Sequence, residues 1–283
     1  MQYGFAVFLF LFAAVLITMG IGALLSARLS VRFYTLTSDK VSGELRLALL
    51  TDLHGCRYGE SQRELTDALR ENHPDAVLFA GDLFDDEMKH DNAETLVRSI
   101  AGIYPCFYVT GNHEYYSGKA DERKAWLRAQ GVTVLAGSRA EFETPAGRVA
   151  VCGADDPVST GSPASAGTDG VRRQANKALQ GADPQVYTVF LCHRPELAAL
   201  YQTLPVDVVA AGHAHGGQWR FPGLINGIYA PNQGFFPKYA GGCYRLNNRT
   251  TLVVSRGLAR ESTRLPRVFN PPELVFITIT PER

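Results

Sequence analysis

The chain has 283 residues, 46% of them hydrophobic, and its 28 Lys and Arg balance 28 Asp and Glu. That length buries the core of one large domain or two small ones. Zero net charge argues against a nucleic-acid binder, and the ordinary apolar share argues against a disordered tail or a protein of many membrane spans.

No Asp, Glu, Lys or Arg precedes Arg28, and 20 of the 25 residues Tyr3–Ala27 are apolar. A helix rising 1.5 Å per residue needs about 20 apolar residues to cross a bilayer, so residues 1–28 read as a single transmembrane anchor. The rival reading is a cleaved signal peptide with Ser26 and Ala27 at the cleavage site. Against it stand the missing basic start and an apolar run longer than the ~7–15 residues such peptides use. Arg28 and Arg32 follow the span, a charge bias that favours a cytoplasmic domain on a single-pass cell-membrane protein. Five scattered cysteines (Cys56, Cys106, Cys152, Cys192, Cys243) show no disulfide pattern and point the same way.

Residues 29–43 read as linker and lead-in, and 44–283 as one domain. Leu45–Leu50 is predicted as a buried strand, Glu60–Asn72 as a helix and Ala76–Ala80 as a second strand. Ala93–Ile100 is helical, Cys106–Val109 a strand, Asp121–Gln130 a helix stopped by Gly131, and Val132–Leu135 extended. This β-α alternation predicts an α/β fold with helices packed on a largely parallel sheet. Shorter strands follow at Glu141–Glu143, Arg148–Cys152, Val186–Leu191 and Val206–Ala210, then Leu252–Ser255 and Leu274–Thr278. Ser159–Gly170 reads as a surface loop, and Phe221–Gly242, rich in Gly, Pro and aromatics, as a structured one.

Polar groups recur just past the strand ends. The blocks are Asp52-Leu53-His54, Gly81-Asp82, Gly111-Asn112-His113-Glu114, His193-Arg194 and Gly212-His213-Ala214-His215-Gly216-Gly217-Gln218. Beyond the carboxyl ends of strands is where α/β folds bind ligands. No GxxxxGK[ST] run occurs, which disfavours nucleotide-driven chemistry of the P-loop kind.

In order and spacing these five blocks resemble the calcineurin-like metallophosphoesterase superfamily, over about residues 44–280. The Gly216-Gly217-Gln218 tail resembles its membrane-associated small bacterial branch. So, more weakly, do Ser255-Arg256-Gly257-Leu258 and Pro271-Pro272-Glu273-Leu274. The resemblance implies a two-sheet αββα sandwich behind one N-terminal transmembrane helix. It also implies two divalent metal ions (Mn, Zn or Fe) bridged by Asp82. Asp52, His54 and His215 would complete one metal site, and Asn112, His193 and His213 the other. Mixed imidazole and hard-oxygen donors suit those metals better than Ca or Mg. The implied reaction is hydrolysis of a phosphodiester or pyrophosphate bond by in-line attack of metal-activated water. His113 would stabilise the transition state or protonate the leaving group, oriented by Asp52 or a nearby carboxylate. A phosphomonoesterase of the same fold and a non-catalytic metal-binding scaffold are the other readings.

Arg57, Arg194 and Arg256 are candidate phosphate contacts, each following a block and offering a planar donor fork. An ordinary salt bridge is the plainer reading of each. Asp85 and Asp86 are expected outside the metal's immediate ligands, and His73 and His90 match no block. Cys192 should face packing, opposite to His193, and Cys56 is expected to be structural. The implied partners are a phosphorylated small-molecule or lipid substrate and the membrane bilayer, with neither nucleic acid nor an obligate protein partner. The aromatics Phe221, Tyr229, Phe235, Phe236 and Tyr239 are read either as contacts to an acyl chain or as a small core beneath the loop.

Overall fold

The computed structural model describes residues 2–161, 168–260 and 266–282. Helix α1 (Gln2–Leu25) carries no charge in its first or last turn, and its segment Phe5–Leu25 has a mean hydropathy of 2.6 with only 6% buried. At 1.5 Å per residue its 24 residues reach about 36 Å, against a hydrocarbon core of about 30 Å.

Only residues 26–29 separate α1 from strand β1 (Ser30–Ser38). This corrects the reading of 29–43 as linker. Strand β1 runs in parallel register with the last strand, from Ser30 opposite Glu273 to Ser38 opposite Pro281. It forms because Val31 packs towards one core while Tyr34 and Leu36 pack towards another. The domain's sheet therefore starts at Ser30.

Strands β2 (Leu45–Leu50), β3 (Ala76–Ala80), β4 (Cys106–Val109) and β5 (Thr133–Val134) follow. The second sheet is built from β6 (Ser138–Thr144), β7 (Gly147–Gly153), β8 (Tyr187–Leu191) and β9 (Val208–Ala211). A short hairpin, β10 (Tyr229–Ala230) and β11 (Gly234–Phe235), precedes β12 (Gly242–Arg245), β13 (Thr251–Val254) and β14 (Glu273–Pro281). The strand orders are β1-β14-β2-β3-β4-β5 and β12-β13-β9-β8-β7-β6.

Alternation explains how the layers stack. Leu45, Leu47 and Leu49 of β2 enter a core between the two sheets, facing Val149, Val151, Val189 and Val208. Ala48 and Leu50 point the other way, into a core shared with α2 (Arg63–Asn72), α3 (Asp91–Ile100) and, past the short α4 (Asn112–Tyr116), α5 (Ala120–Ala129). On the far side, Cys152, Phe190, Val209 and Leu252 pack under α6 (Thr168–Leu179) and α7 (Ala198–Tyr201). The result is the αββα sandwich, the central strands of each sheet buried on both faces.

Helix α6 starts inside the predicted loop Ser159–Gly170, of which 162–167 lie outside the described residues. Its apolar stripe is Val171, Ala175 and Ala178, all buried, too thin a pattern beside the preceding Gly, Ser and Pro to be visible in the sequence.

The foot of α1 is fastened to the domain. The Phe269 N–H donates to Gly22 O at 3.1 Å, and the Asn270 N–H donates to Ser26 Oγ at 2.8 Å. A Cβ on Gly22 would meet the Val268 and Phe269 side chains at 2.7 Å, so glycine is what lets the helix lie this close.

Candidate metal centre

Every candidate ligand sits just past the carboxyl end of a strand: Asp52 and His54 after β2, Asp82 after β3, Asn112 after β4, His193 after β8, and His213 and His215 after β9. The two sheets thus deliver polar groups to one shared rim. Asp52, His54, Asp82, His213 and His215 all hold positive φ, between 46° and 65°. Such left-handed turns cost about 1–3 kcal/mol each at non-glycine residues and gather at functional sites. Neighbouring glycines leave room for the carboxylates. A Cβ on Gly212 would meet Asp52 Oδ2 at 2.5 Å, and one on Gly111 would collide with Asp82 Oδ1.

Three overlapping sets bring their ligand atoms within 4.8 Å of one another: Asp52-His54-His215, His54-Asp82-His113 and Asp82-His193-His213. Asp82 is shared by two of them. Its Oδ2 lies 3.1 Å from His193 Nε2 and 3.7 Å from His54 Nε2, while Oδ1 accepts the His113 N–H at 3.0 Å. Asp52 Oδ1 lies 3.8 Å from His193 Nε2 and 3.7 Å from His215 Nε2, and it accepts the His213 N–H at 3.0 Å.

His54 Nε2 and Asn112 Oδ1 are buried with no hydrogen-bond partner, and the buried Asp82 Oδ2 has none beyond its ion-pair contact with His193 Nε2. Orphaned polar atoms are costly unless something else satisfies them, and His54 Nε2 standing among the carboxylate and imidazole atoms of these sets fits divalent cations. The opposite ring nitrogens are engaged. His54 Nδ1 meets Asp85 at 2.8 Å and His193 Nδ1 donates to Ala80 O at 2.8 Å, an arrangement that leaves Nε2 for a ligand role. His213 Nε2 lies 2.7 Å from Arg194 Nη1 and 2.9 Å from Asn232 Oδ1, and Nδ1 faces His193 Nε2 at 3.2 Å.

Burial pulls His213 and His215 below their ordinary values, His215 to about 3, so both rings stay neutral, as ligands require. Burial would also lower His193, but Asp82 and then Asp52 more than offset it and leave it at about 10. Burial, then the adjacent Asp82, pushes Glu114 up to about 7. That carboxyl accepts the N–H groups of Asp82, Phe84 and Gly111 at 3.1, 3.0 and 2.8 Å, pinning the β3 and β4 turns together.

His113 lies on the rim, its ring 4.5 Å from that of His54. Its orienting carboxylate is Asp86, at 2.5 Å from Nδ1, and not Asp52. Asp85 and Asp86 both reach the site, each as the partner of a histidine and not as an immediate ligand. Asn232, from the long loop, had no signal in the sequence.

Arg194 and Arg256 form salt bridges, the plainer of their two readings. Arg194 is 1% exposed, with Nε and Nη2 on Asp156 at 2.5 and 3.0 Å and Nη1 on Asn232 at 2.5 Å. Its donor fork is occupied, which leaves no face for a phosphate. Arg57 is exposed and donates to Gly59 O at 3.1 Å. Arg256 pairs with Glu273 at 2.5 Å and lines a cavity that contains none of the candidate ligands.

With this geometry in view, comparison with known proteins is informative. A metallophosphoesterase from Aquifex aeolicus, described as uncharacterized, is 29% identical over 263 residues, covering 89% of this chain and 92% of its own. One from Helicobacter pylori is 26% identical over 90% of this chain, which spans 65% of that relative's length. A Danio rerio transmembrane protein with a metallophosphoesterase domain is 30% identical over 75% of this chain and 48% of its own. Among solved structures, the Haemophilus influenzae NAD nucleotidase superposes with a TM-score of 0.50 at 15% identity, over 77% of this chain and 46% of that one, a likeness of fold. The calcineurin-like phosphoesterase family model matches residues 45–217, more than half the chain and every strand end that carries a candidate ligand, and the protein belongs to that family.

Proposed function

We propose that this protein hydrolyses a phosphodiester or pyrophosphate bond in a substrate presented at a membrane, with two divalent cations of the Mn, Zn or Fe kind. The observation that carries the reading is the close approach of Asp52, His54, Asp82, His193, His213 and His215 in overlapping, largely buried sets, with His54 Nε2 left without a hydrogen-bond partner among them. Asp52, His54 and His215 would hold one cation, Asn112, His193 and His213 the other, with Asp82 between them. Bound there, the cations would supply Lewis acidity towards phosphoryl oxygens and lower the pKa of water.

The chain's own residues do the rest. His113, with Nδ1 held by Asp86, keeps Nε2 for a proton that passes to the leaving oxygen. Its side chain is 30% exposed, placed where substrate arrives. Asn232 keeps the His213 ring turned the right way, and Glu114 holds the turns that aim Asp82.

Support for a lipid substrate comes from the loop that carries Asn232, where Tyr229, Phe235 and Phe236 are exposed. The apolar α1 and the description of the Danio rerio relative as transmembrane favour a bilayer span. Arg28 and Arg32 favour a cytoplasmic face.

The test is a screen of the full-length protein with Mn, Co or Zn against bis-p-nitrophenyl phosphate, p-nitrophenyl phosphate and nucleotide-diphosphate lipids. Turnover of the diester or pyrophosphate is expected, abolished by a chelator and lowered at least about a hundredfold by Asp82→Asn, more than loss of an outer partner costs. Turnover of the monoester alone selects a phosphomonoesterase. Hydrolysis indifferent to both chelation and Asp82→Asn overturns the two-cation reading.

A further inference from the structure

A cavity of about 660 Å³ opens at the foot of α1, away from the candidate metal ligands. Its walls are of two kinds. Leu25, the last residue of α1, lines it with Leu224, Ile225 and Phe269, and so do Arg32, Arg220 and Arg256. Leu224 is 88% exposed, an apolar side chain offered to whatever surrounds the helix foot.

The charge there does not balance. Arg256 is 6% exposed; its backbone N–H and Nε are taken by Glu273 at 2.8 and 2.5 Å, while its Nη2 is buried with no hydrogen-bond partner. Arg220 crowds the same spot, since a Cβ on Gly241 would meet Arg256 Cγ at 2.5 Å and Arg220 Nη1 at 3.3 Å. The Arg220 guanidinium is held by two neutral acceptors, Gly216 O and Asn226 Oδ1. Burial, then the like charge of Arg256, pulls it below the ordinary arginine value. Among the described residues, neither Arg32 nor Arg220 makes an ion pair, and Glu273 is the one carboxylate paired with the group. Arg256 is buried, Arg220 half-buried and Arg32 exposed; a buried guanidinium Nη2 with no partner, beside a second like charge, is unfavourable unless a further anion joins it. Guanidinium groups that line one cavity offer planar donor forks of the kind that bind phosphate oxygens.

We propose that this cavity binds the phosphate of an anionic membrane phospholipid, the guanidinium groups taking the headgroup and Leu25, Leu224 and Phe269 meeting the start of the acyl chains. The location argues for a lipid over a free anion. The cavity lies where an apolar helix would leave the hydrocarbon, at the depth of headgroup phosphates, and anionic lipids attract basic residues at that depth. The lipid assignment rests on α1 spanning a bilayer, whereas the anion site itself does not. It also gives the Arg256 guanidinium an anion other than the substrate at the metal cluster.

The experiment uses the full-length protein in a neutral detergent and reads its thermal midpoint against dihexanoylphosphatidylglycerol, dihexanoylphosphatidylcholine and inorganic phosphate. Saturating phosphatidylglycerol is expected to raise the midpoint by about 3–6 °C, the usual response to a ligand at a hundredfold its dissociation constant. The zwitterionic lipid should leave it unmoved. Arg32→Gln with Arg220→Gln should erase the shift. Should that double variant fold poorly, Arg32→Gln alone, at an exposed strand position, should weaken phosphatidylglycerol binding about tenfold, roughly one charge-assisted contact. Equal shifts with both lipids, or a phosphatidylglycerol shift that survives the variants, overturns the proposal. A shift with inorganic phosphate alone overturns the lipid in favour of a free phosphate. Anion binding at the metal cluster would survive Arg32→Gln, so failure here is separable from failure of the hydrolysis screen.

Discussion

At the scale of single residues, the site is governed by which nitrogen of each histidine faces inward. Asp85 on His54, Ala80 O on His193 and Asn232 on His213 each engage the ring nitrogen opposite the one left for a cation. Burial pushes the Asp85 carboxyl up, but the hydrogen bond from His54 and those from the Glu87 and Met88 N–H groups outweigh it and hold it at about 2. It therefore stays ionised across the working range and favours a proton on His54 Nδ1. Asp85→Asn keeps the shape and removes that charge. Metal affinity, measured by competition with a chromogenic chelator, is expected to fall about 10–100-fold with the folded circular dichroism spectrum unchanged. An affinity equal to the parent's would deny Asp85 its role. The residues that the family blocks place on strand ends were legible in the sequence, because a strand end fixes where a side chain is delivered. Asp85, Asp86 and Asn232 were not, since they lie on segments that fold back onto the rim. Nor could the sequence tell that Asp156 would consume the Arg194 fork.

Secondary-structure elements were legible where apolar residues run on both faces of a strand, as in β2, β3 and β8. They were hidden where an element is thin or lies at an edge. Strand β1 exposes Phe33 at 56% and lies beside an uncharged helix, so its alternation passes for a lead-in. Helix α6 shows a narrow apolar stripe. The cysteines illustrate how strand alternation governs chemistry. Cys106 on β4 and Cys152 on β7 point into cores beneath helices, and so does Cys192 just past β8, opposite to His193 as expected. Burial raises their thiols to about 12, 11 and 12, and Cys56 is 1% exposed. Cys243 on the edge strand β12 is exposed. Because a raised pKa means less thiolate at a given pH, Ellman's reagent at pH 8 should titrate one thiol in the folded protein and the other four only after denaturation. Rapid reaction of a second thiol would show that one of these cores is looser than described.

At the scale of the whole molecule, the join between α1 and the domain sets how the site meets its surroundings. Asn270 links the two: its backbone N–H holds Ser26, and its side-chain Nδ2 donates to His215 O at 2.7 Å. Gly22→Leu would drive a side chain into Val268 and Phe269 and prise the helix foot away. Turnover of a soluble diester should then stay within about twofold of the parent, whereas turnover of a lipid-embedded substrate in vesicles should fall about tenfold, the scale of a lost positional constraint. Equal losses on both substrates would place the effect inside the catalytic domain.

Two hydrogen bonds through Asn270 separate Ser26, at the end of the apolar helix, from a candidate cation ligand. With α1 spanning a bilayer as proposed, the candidate metal centre would ride at a set height above it, like a tool on a short rigid arm. A phosphate held closer to the hydrocarbon, or farther from it, passes beneath or above its reach. On the proposed function, the enzyme would select by depth before it selects by shape. It meets its substrate as molecules per unit of surface, so diluting the vesicles should leave the rate per enzyme unchanged, while diluting the substrate within the bilayer should lower it.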